Sequence, residues 1–248
     1  MEIKNLVRKN ILSLKPYTSA RSSHLSGVLL DANENGIGSV IHDTYSLQLN
    51  RYPDPSQNEI REKLGNYLNI KKENLCFGVG SDEIIDLLIR IFCEPRIDKV
   101  MILQPTYGMY KVACAINNVE TINVDLNESF QIDFGNVKEK FSNEIKIIFL
   151  CSPNNPTGNL IDQNDILKLA ETYNAIIAVD EAYIDFSEEN SLVKKITNYK
   201  NIVVMRTFSK AWGLAGIRCG YCIADEFIIN LFMNVKATYN VNKFIFHS

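Results

Sequence analysis

From about residue 75 onward, short apolar runs alternate with amphipathic stretches along the chain. The runs are rich in Ile, Val, Leu and Cys and are too short for helices, so they predict buried strands. The predicted strands span 76–79, 99–103, 120–124, 145–150, 176–179, 202–205 and 219–223. Between them, apolar residues recur at helical spacing. This spacing predicts helices after residue 80, over 110–117 and 165–173, and from about residue 225, with a short helix within 128–143.

The repeated order of strand and helix predicts an α/β fold. Strands that are apolar along their whole length are typical of a sheet covered on both faces. We therefore predict a three-layer α/β/α arrangement around a mostly parallel central sheet. Residues 1–45 hold one short apolar run and a loop rich in Asp, Asn and Gly, which predict an N-terminal arm and small-domain segment. Residues 46–248 are predicted to form one large domain.

A further helix is predicted just after the two prolines at residues 53 and 55. Ser56, followed three residues later by Glu59, has the spacing of a capping box. The apolar stripe of this helix would consist of Ile60, Leu64, Tyr67 and Leu68.

The composition argues against several classes of protein. The net charge of -3 and the absence of a dense Lys/Arg run in the sequence predict no nucleic-acid partner. We expect no membrane association and a cytoplasmic location, because no window has the apolar length of a membrane span and the N-terminus lacks a secretory signal. The six cysteines lie mostly in apolar runs, which is typical of reduced, packed thiols. Cys219 and Cys222 have C-x-x-C spacing without a second pair or a nearby His, so we predict no metal site.

The loop after the strand at 202–205 carries the most specific chemistry. Thr207, Ser209, Lys210 and Arg218 bring two hydroxyls, an amine and a guanidinium into one short segment. A lysine amine can form a Schiff base with an aldehyde, while hydroxyls and a guanidinium can hold a phosphate. This loop therefore predicts a site for a phosphorylated aldehyde.

A second loop, FGVGSDE, follows the first predicted strand. It places Gly80, Ser81 and Asp82 at a helix N-terminus, where backbone N–H groups and the helix dipole attract a phosphate. A dinucleotide-binding fingerprint also begins with Gly78-x-Gly80, but Glu83 stands where its third glycine is required. The sequence therefore favours a phosphate site over a dinucleotide site.

Three more loops offer groups suited to a flat heteroaromatic ring. Tyr107 follows a strand and has a ring that can stack. Asn155 lies between two prolines, and its amide can donate to a ring hydroxyl. Asp180 ends a buried strand, with Tyr183 three residues on, and a buried carboxylate needs a partner such as a protonated pyridine nitrogen. Because ligands bind at the carboxyl ends of strands in such sheets, we predict that all these loops form one site.

Several motifs together resemble the fold-type-I pyridoxal-phosphate aminotransferases, and most closely their histidinol-phosphate branch. The motifs are TFSKAWGLAGIRCGY, CSPNNPTGN, VDEAYIDF, GVGSDEII and RYPDPS, with KNILSLKPYTSAR and LLDANEN near the N-terminus. The resemblance covers nearly the whole chain. It implies that the cofactor is pyridoxal 5'-phosphate.

The resemblance also implies a role for each matching residue. Lys210 would form the Schiff base and act as acid and base, Asp180 would pair with the ring nitrogen, and Tyr183 would bond the ring hydroxyl. Asn155 would share that hydroxyl, and Tyr107 would stack on the ring. The groups implied to hold the phosphate are Gly80, Ser81, Asp82, Thr207, Ser209 and Arg218.

The reaction implied by the resemblance consists of two half-transaminations on small-molecule substrates. Glutamate would give its amino group to the cofactor, which would pass it to imidazole-acetol phosphate to make histidinol phosphate in histidine biosynthesis. Tyr17 and Asn33 would lie near the substrate. Tyr52 would reach into the site of the partner subunit of a homodimer.

Members of the family continue past the last residue of this sequence into a C-terminal small domain with arginines for the substrate anion. The resemblance therefore implies that this domain is largely missing here. A threonine-phosphate decarboxylase and an aromatic aminotransferase share the same loops and stay open as alternatives. A third alternative is a truncated remnant that binds cofactor without turnover.

Overall fold

Seven strands and six α-helices alternate in the computed structural model, which describes residues 53–247. The strands are β1 (Leu75–Val79), β2 (Lys99–Gln104), β3 (Glu120–Asp125), β4 (Ile145–Cys151), β5 (Ile176–Asp180), β6 (Ile202–Thr207) and β7 (Cys219–Ile223). The helices are α1 (Asn58–Leu68), α2 (Gly80–Phe92), α3 (Met109–Asn117), α4 (Phe134–Lys140), α5 (Gln163–Thr172) and α6 (Glu226–Val235). Each predicted strand lies inside an observed one, which confirms the reading of the apolar runs.

The strands form one mixed sheet in the order β1-β7-β6-β5-β4-β2-β3. β7 is antiparallel to both of its neighbours, and every other neighbouring pair is parallel. The first six strands therefore run in the same direction, and their carboxyl ends share one edge of the sheet. The amino end of β7 lies at that same edge.

Two apolar layers enclose the sheet. Along β6, Val203 and Met205 face the layer that contains α2, α3 and α6, whereas Val204 faces the layer that contains α1, α4 and α5. This alternation is the period of two expected for a strand that is buried on both faces. The predicted three-layer α/β/α class with a mostly parallel sheet is confirmed.

A side chain caps the start of α5, whereas the cap predicted for α1 is not formed. The Asp162 carboxylate accepts from the Asn164 amide at 2.7 Å and caps α5. At α1, the predicted capping box is wrong, because the N-cap residue is Gln57 and the carboxylate that accepts from the Asn58 amide, at 2.9 Å, belongs to Asp54. Tyr67, predicted in the apolar stripe of α1, is 62% exposed.

Gln57 has another use, which explains the displaced cap. Its side-chain amide accepts from the Phe77 backbone N–H at 2.9 Å and donates to the Phe77 carbonyl at 3.0 Å. Phe77 lies in the edge strand β1, so Gln57 supplies the hydrogen bonds that a further strand would make. Asn240, near the C-terminal end of the described residues, also donates to the Phe77 carbonyl, at 3.0 Å. Residues from both ends of the described chain therefore bind this edge of the sheet.

All six cysteines are buried, and none is in a disulfide. Within residues 53–247, no group of His, Cys, Asp and Glu side chains is arranged to hold a metal ion. The helices in this part of the chain are all too short or too polar to cross a membrane.

Candidate active site

The structure brings the predicted site loops to one edge of the sheet. β1, β2, β4, β5 and β6 end at this edge, and each is followed by one of these loops. Arg218 immediately precedes β7, which runs in the opposite direction, and so reaches the same edge. Tyr17, Asn33 and Tyr52 lie outside the described residues.

Asp180 is the last residue of β5 and is only 2% exposed. Its carboxylate accepts from the Ala182 amide at 3.0 Å and from the Tyr110 hydroxyl at 2.7 Å. Burial raises the pKa of Asp180 to about 6, while the hydrogen bonds from Tyr110 and Ala182 act in the opposite direction. A carboxylate has about four lone pairs, so Asp180 retains acceptor capacity for a further N–H donor.

Tyr110, in the first turn of α3, contacts Asp180 and was not predicted as a site residue. Its ring is fully buried and stacks on Phe149 of β4, with centroids 4.7 Å apart and planes at 5°. Burial raises the pKa of Tyr110 well above its ordinary value, and the nearby Asp180 carboxylate raises it further. The phenol therefore keeps its proton and donates a hydrogen bond to Asp180. The only signal in the sequence was that a carboxylate at the end of a buried strand needs a donor.

Lys210, Tyr183 and Asn155 approach one another from three loops. The Lys210 Nζ lies 5.7 Å from the centroid of the Tyr183 ring. The Asn155 Nδ2 lies 3.4 Å from the Tyr183 hydroxyl oxygen. The positive charge of Lys210 lowers the pKa of the Asp180 carboxyl, so the two side chains are within electrostatic range of each other. The structure thus brings together the amine and the carboxylate on which the sequence interpretation depends.

The hydroxyls before Lys210 are fixed by local hydrogen bonds. The Thr207 and Ser209 hydroxyl oxygens are 2.9 Å apart, and the Ser209 amide donates to the Thr207 hydroxyl at 3.1 Å. After Lys210, the Gly213 amide donates to the Lys210 carbonyl at 3.1 Å. Gly213 has a φ of 66°, which favours glycine, so the turn holds the lysine close to the two hydroxyls.

Two glycines allow the start of α2 to approach Arg218 closely. Gly80 has a φ of +74°, and a Cβ there would lie 2.6 Å from the Arg218 Nη2. A Cβ on Gly220 would lie 2.4 Å from the Ser81 amide nitrogen. The Gly80 amide donates to the Arg218 carbonyl at 3.1 Å, and no side chain caps the start of α2. The Ser81 and Asp82 amides and the guanidinium therefore form a cradle suited to an anion.

Asp82 lies beside this cradle with its side chain already engaged. Its Oδ2 is 3.5 Å from the Arg218 Nη2, and its Oδ1 accepts from the Tyr107 hydroxyl at 3.3 Å. A carboxylate repels a phosphate, so any contribution of Asp82 to anion binding would come from its backbone N–H. Its side chain instead links the guanidinium to the ring of Tyr107.

Asn154, next to the predicted Asn155, holds two of the loops together. Its side-chain amide donates to the Pro105 carbonyl at 2.8 Å and to the Thr157 hydroxyl at 2.7 Å. Its carbonyl accepts from the Thr106 hydroxyl at 3.0 Å. The loop after β4 is thereby tied to the loop after β2.

A buried ion pair lies on the opposite face of the sheet from Asp180. The Arg206 Nε and Nη2 are each 3.0 Å from the Glu181 Oε2. The Glu181 carboxylate also accepts from the Leu192 amide at 2.7 Å and from the Ser191 hydroxyl at 2.8 Å. The pair joins the carboxyl ends of β5 and β6, and therefore fixes the backbone that presents Asp180.

These residues fit a flat, phosphorylated aldehyde. The glycine cradle beside Arg218 suits a phosphate, while Asp180 is a buried acceptor within electrostatic range of the Lys210 amine. Tyr183 and Asn155 add a phenol and an amide, and the Tyr183 ring lies 5.7 Å from the Lys210 Nζ. An anion site, a carbonyl-reactive amine and an acceptor for a ring N–H are the donor set that such a molecule requires.

Comparison with known proteins identifies the family. Residues 30–246 match the family model "Aminotransferase class I and II". The histidinol-phosphate aminotransferase of Parabacteroides distasonis is 45% identical over 98% of this chain. The chain spans 68% of the length of that relative.

Solved structures agree with this result. The histidinol-phosphate aminotransferase of Clostridium acetobutylicum has a TM-score of 0.72 and 30% identity, over 80% of this chain and 59% of that one. The Sinorhizobium meliloti enzyme of the same name, in complex with pyridoxal-5'-phosphate, has a TM-score of 0.75 and 21% identity, over 87% of this chain and 61% of that one. At this identity the second likeness shows the fold alone. The chain therefore belongs to the aminotransferase class I and II family.

Proposed function

We propose that this chain binds pyridoxal 5'-phosphate and catalyses transamination between L-glutamate and imidazole-acetol phosphate, giving L-histidinol phosphate in histidine biosynthesis. The observation that carries the proposal is the buried Asp180 carboxylate within electrostatic range of Lys210, beside an anion cradle. The names of the curated relatives support the substrate.

Asp180, Tyr183 and Asn155 would hold the cofactor ring. Asp180 would accept the N–H of the ring nitrogen, and its burial makes that charge-assisted bond strong. Tyr183 and Asn155 would orient the ring through its hydroxyl. When bound, the protonated ring withdraws electrons from the substrate carbon that loses its proton.

Lys210 would attach the cofactor through its amine and then act as the base. Its loop is held by the Gly213 turn, and Tyr183 lies beside its Nζ. Lys210 would also serve as acid and base, and would take and hold the proton that leaves the substrate carbon. The Thr207 and Ser209 hydroxyls, with the Ser81 and Asp82 amides and Arg218, would hold the phosphate, and Gly80 would allow their close approach.

We propose a homodimer in the cytoplasm, with Tyr52 reaching the partner's site. The support for the dimer is the sequence resemblance, together with exposed apolar side chains such as Phe186, which is 71% exposed. Sedimentation equilibrium at micromolar concentration should give twice the chain mass. A single-chain mass would remove Tyr52 from the proposed site.

Cofactor binding is tested by spectroscopy. We expect the purified protein with pyridoxal phosphate to be yellow, with an absorption band in the violet-blue, and Lys210→Ala to lose this band. Lys138→Ala, at an exposed residue of α4, is the matched control and should keep the band. A wild-type protein that stays colourless with added cofactor would refute the proposal.

Substrate choice is tested by three assays on the same preparation. Amination of imidazole-acetol phosphate by glutamate, abolished by Lys210→Ala, is the expected result. Release of carbon dioxide from L-threonine O-3-phosphate would instead indicate the decarboxylase, and amination of phenylpyruvate would indicate an aromatic aminotransferase. A yellow protein without turnover on any of these substrates would indicate a cofactor-binding remnant.

A further inference from the structure

We propose that Tyr110 is a positioning residue for the cofactor ring. Its buried hydroxyl donates to the Asp180 carboxylate, and its ring packs against the ring of Tyr107. The inference rests on the proposed function. Tyr110 contacts both side chains expected at the ring: Asp180 through the 2.7 Å hydrogen bond, and Tyr107 through a perpendicular ring contact with centroids 5.7 Å apart.

Tyr110 is rigidly placed. Its side chain is 0% exposed, and its ring lies parallel to Phe149 in the centre of the apolar layer. A tyrosine has only two side-chain torsions, and both are fixed when the ring is enclosed in this way. The hydroxyl therefore has one position, and the carboxylate that accepts from it is oriented by the core of the protein.

The hydroxyl also controls how readily Asp180 keeps its charge. The titratable groups around Asp180 are Tyr110 from α3, Cys151 from β4, Asp82 from α2 and Lys210 from the loop after β6. Burial favours the neutral carboxyl most strongly, and the Tyr110 hydrogen bond is the largest influence in favour of the carboxylate. Without it, Oδ2 would lose its donor, while Oδ1 would keep the Ala182 amide.

Tyr110→Phe tests the proposal, since it removes one oxygen and keeps the stacked ring. Tyr199→Phe is the matched control, because the Tyr199 hydroxyl also donates to a carboxylate, that of Glu171 at 2.9 Å, near the surface. We expect Tyr110→Phe to weaken pyridoxal-phosphate binding by about tenfold or more, measured by the visible band or by Trp212 fluorescence. Tyr199→Phe should leave the affinity unchanged.

A second arm separates positioning from general loss of structure. If Tyr110 acts through Asp180, then Tyr110→Phe should add little further loss in protein that already carries Asp180→Asn. An equal loss in both backgrounds would show that the hydroxyl acts by another route, and would overturn the proposal.

A third arm needs no cofactor. The ionisation midpoint of Asp180, followed through the pH dependence of stability relative to Asp180→Asn, should rise by about one to two units in Tyr110→Phe. Wild-type affinity together with an unmoved midpoint would overturn the proposal. If wild-type protein fails to bind pyridoxal phosphate, the proposed function fails, while this third arm still decides whether Tyr110 governs Asp180.

Discussion

Asp180→Asn should stabilise the cofactor-free protein relative to wild type at neutral pH and lose that advantage in acid. The pKa of Asp180 is raised from 3.8 to about 6 by burial, so the folded state binds a proton more tightly than the unfolded state. Stability from this group is therefore largest at low pH and falls as pH rises through about 6. From acid to alkaline pH, the contribution of Asp180 to the free energy of unfolding falls by about 3 kcal/mol in total. About 1.4 kcal/mol of this fall occurs between pH 5 and pH 8.

Urea unfolding followed by tryptophan fluorescence measures this difference, since Trp212 is the one tryptophan of the chain. Wild type should lose about 1.4 kcal/mol relative to Asp180→Asn between pH 5 and pH 8 at constant ionic strength. Any constant effect of the amide on the hydrogen bonds of Tyr110 cancels in this comparison. Asp125→Asn, at an exposed residue that ends β3, serves as the control for replacing a carboxylate at the surface.

A difference between wild type and Asp180→Asn that does not change over this pH range would refute the reasoning. It would mean that Tyr110, Ala182 and water together solvate the carboxylate as well as bulk water does. A difference that grows toward acid would mean that the folded state favours the charged form, contrary to the burial of Asp180.

Two further substitutions test the supports of the site. Gly80→Ala should cost about 1–2 kcal/mol of folding free energy, because the φ of Gly80 is +74° and a Cβ there would meet Arg218. It should also weaken pyridoxal-phosphate binding. An unchanged urea midpoint and an unchanged affinity would contradict this prediction. Glu181→Ala should destabilise the protein by about 3 kcal/mol, because it leaves the buried Arg206 with only Asp185, whose Oδ1 lies 3.9 Å from Nη1. Glu59→Ala removes an exposed carboxylate and should cost less than about 1 kcal/mol, so equal losses in the two variants would show that the buried pair is solvated.

The sheet was predictable because its strands carry a strong local signal. Runs such as Ile145–Cys151 are apolar on both faces, and no helix within residues 53–247 has that pattern together with that length. The start of α1 was not predictable in the same way. The capping-box spacing of Ser56 and Glu59 is local, whereas Gln57 is fixed by the backbone of Phe77, twenty residues away.

The site was predictable to the extent that its groups follow strands. Asp180 and Lys210 belong to different loops, and the rule that parallel strands end at one edge was enough to place them together. Tyr110 could not be found by that rule, because its side chain lies in a helix, seventy residues before Asp180, and reaches the site through the core. Its position depends on how α3 packs on β4, which no local pattern specifies.

The pairing of β5 with β6 decides which of two adjacent carboxylates is available to a ligand. Asp180 and Glu181 are consecutive at the end of β5, so they face opposite sides of the sheet. In β6, Arg206 directly follows the apolar run 202–205, and a buried guanidinium requires a carboxylate partner. The parallel register pairs Asp180 with Met205, which places Glu181 next to Arg206 and leaves Asp180 on the opposite face. Once β5 and β6 are known to be neighbours, the arginine in an apolar strand therefore identifies Asp180 as the carboxylate available to a ligand.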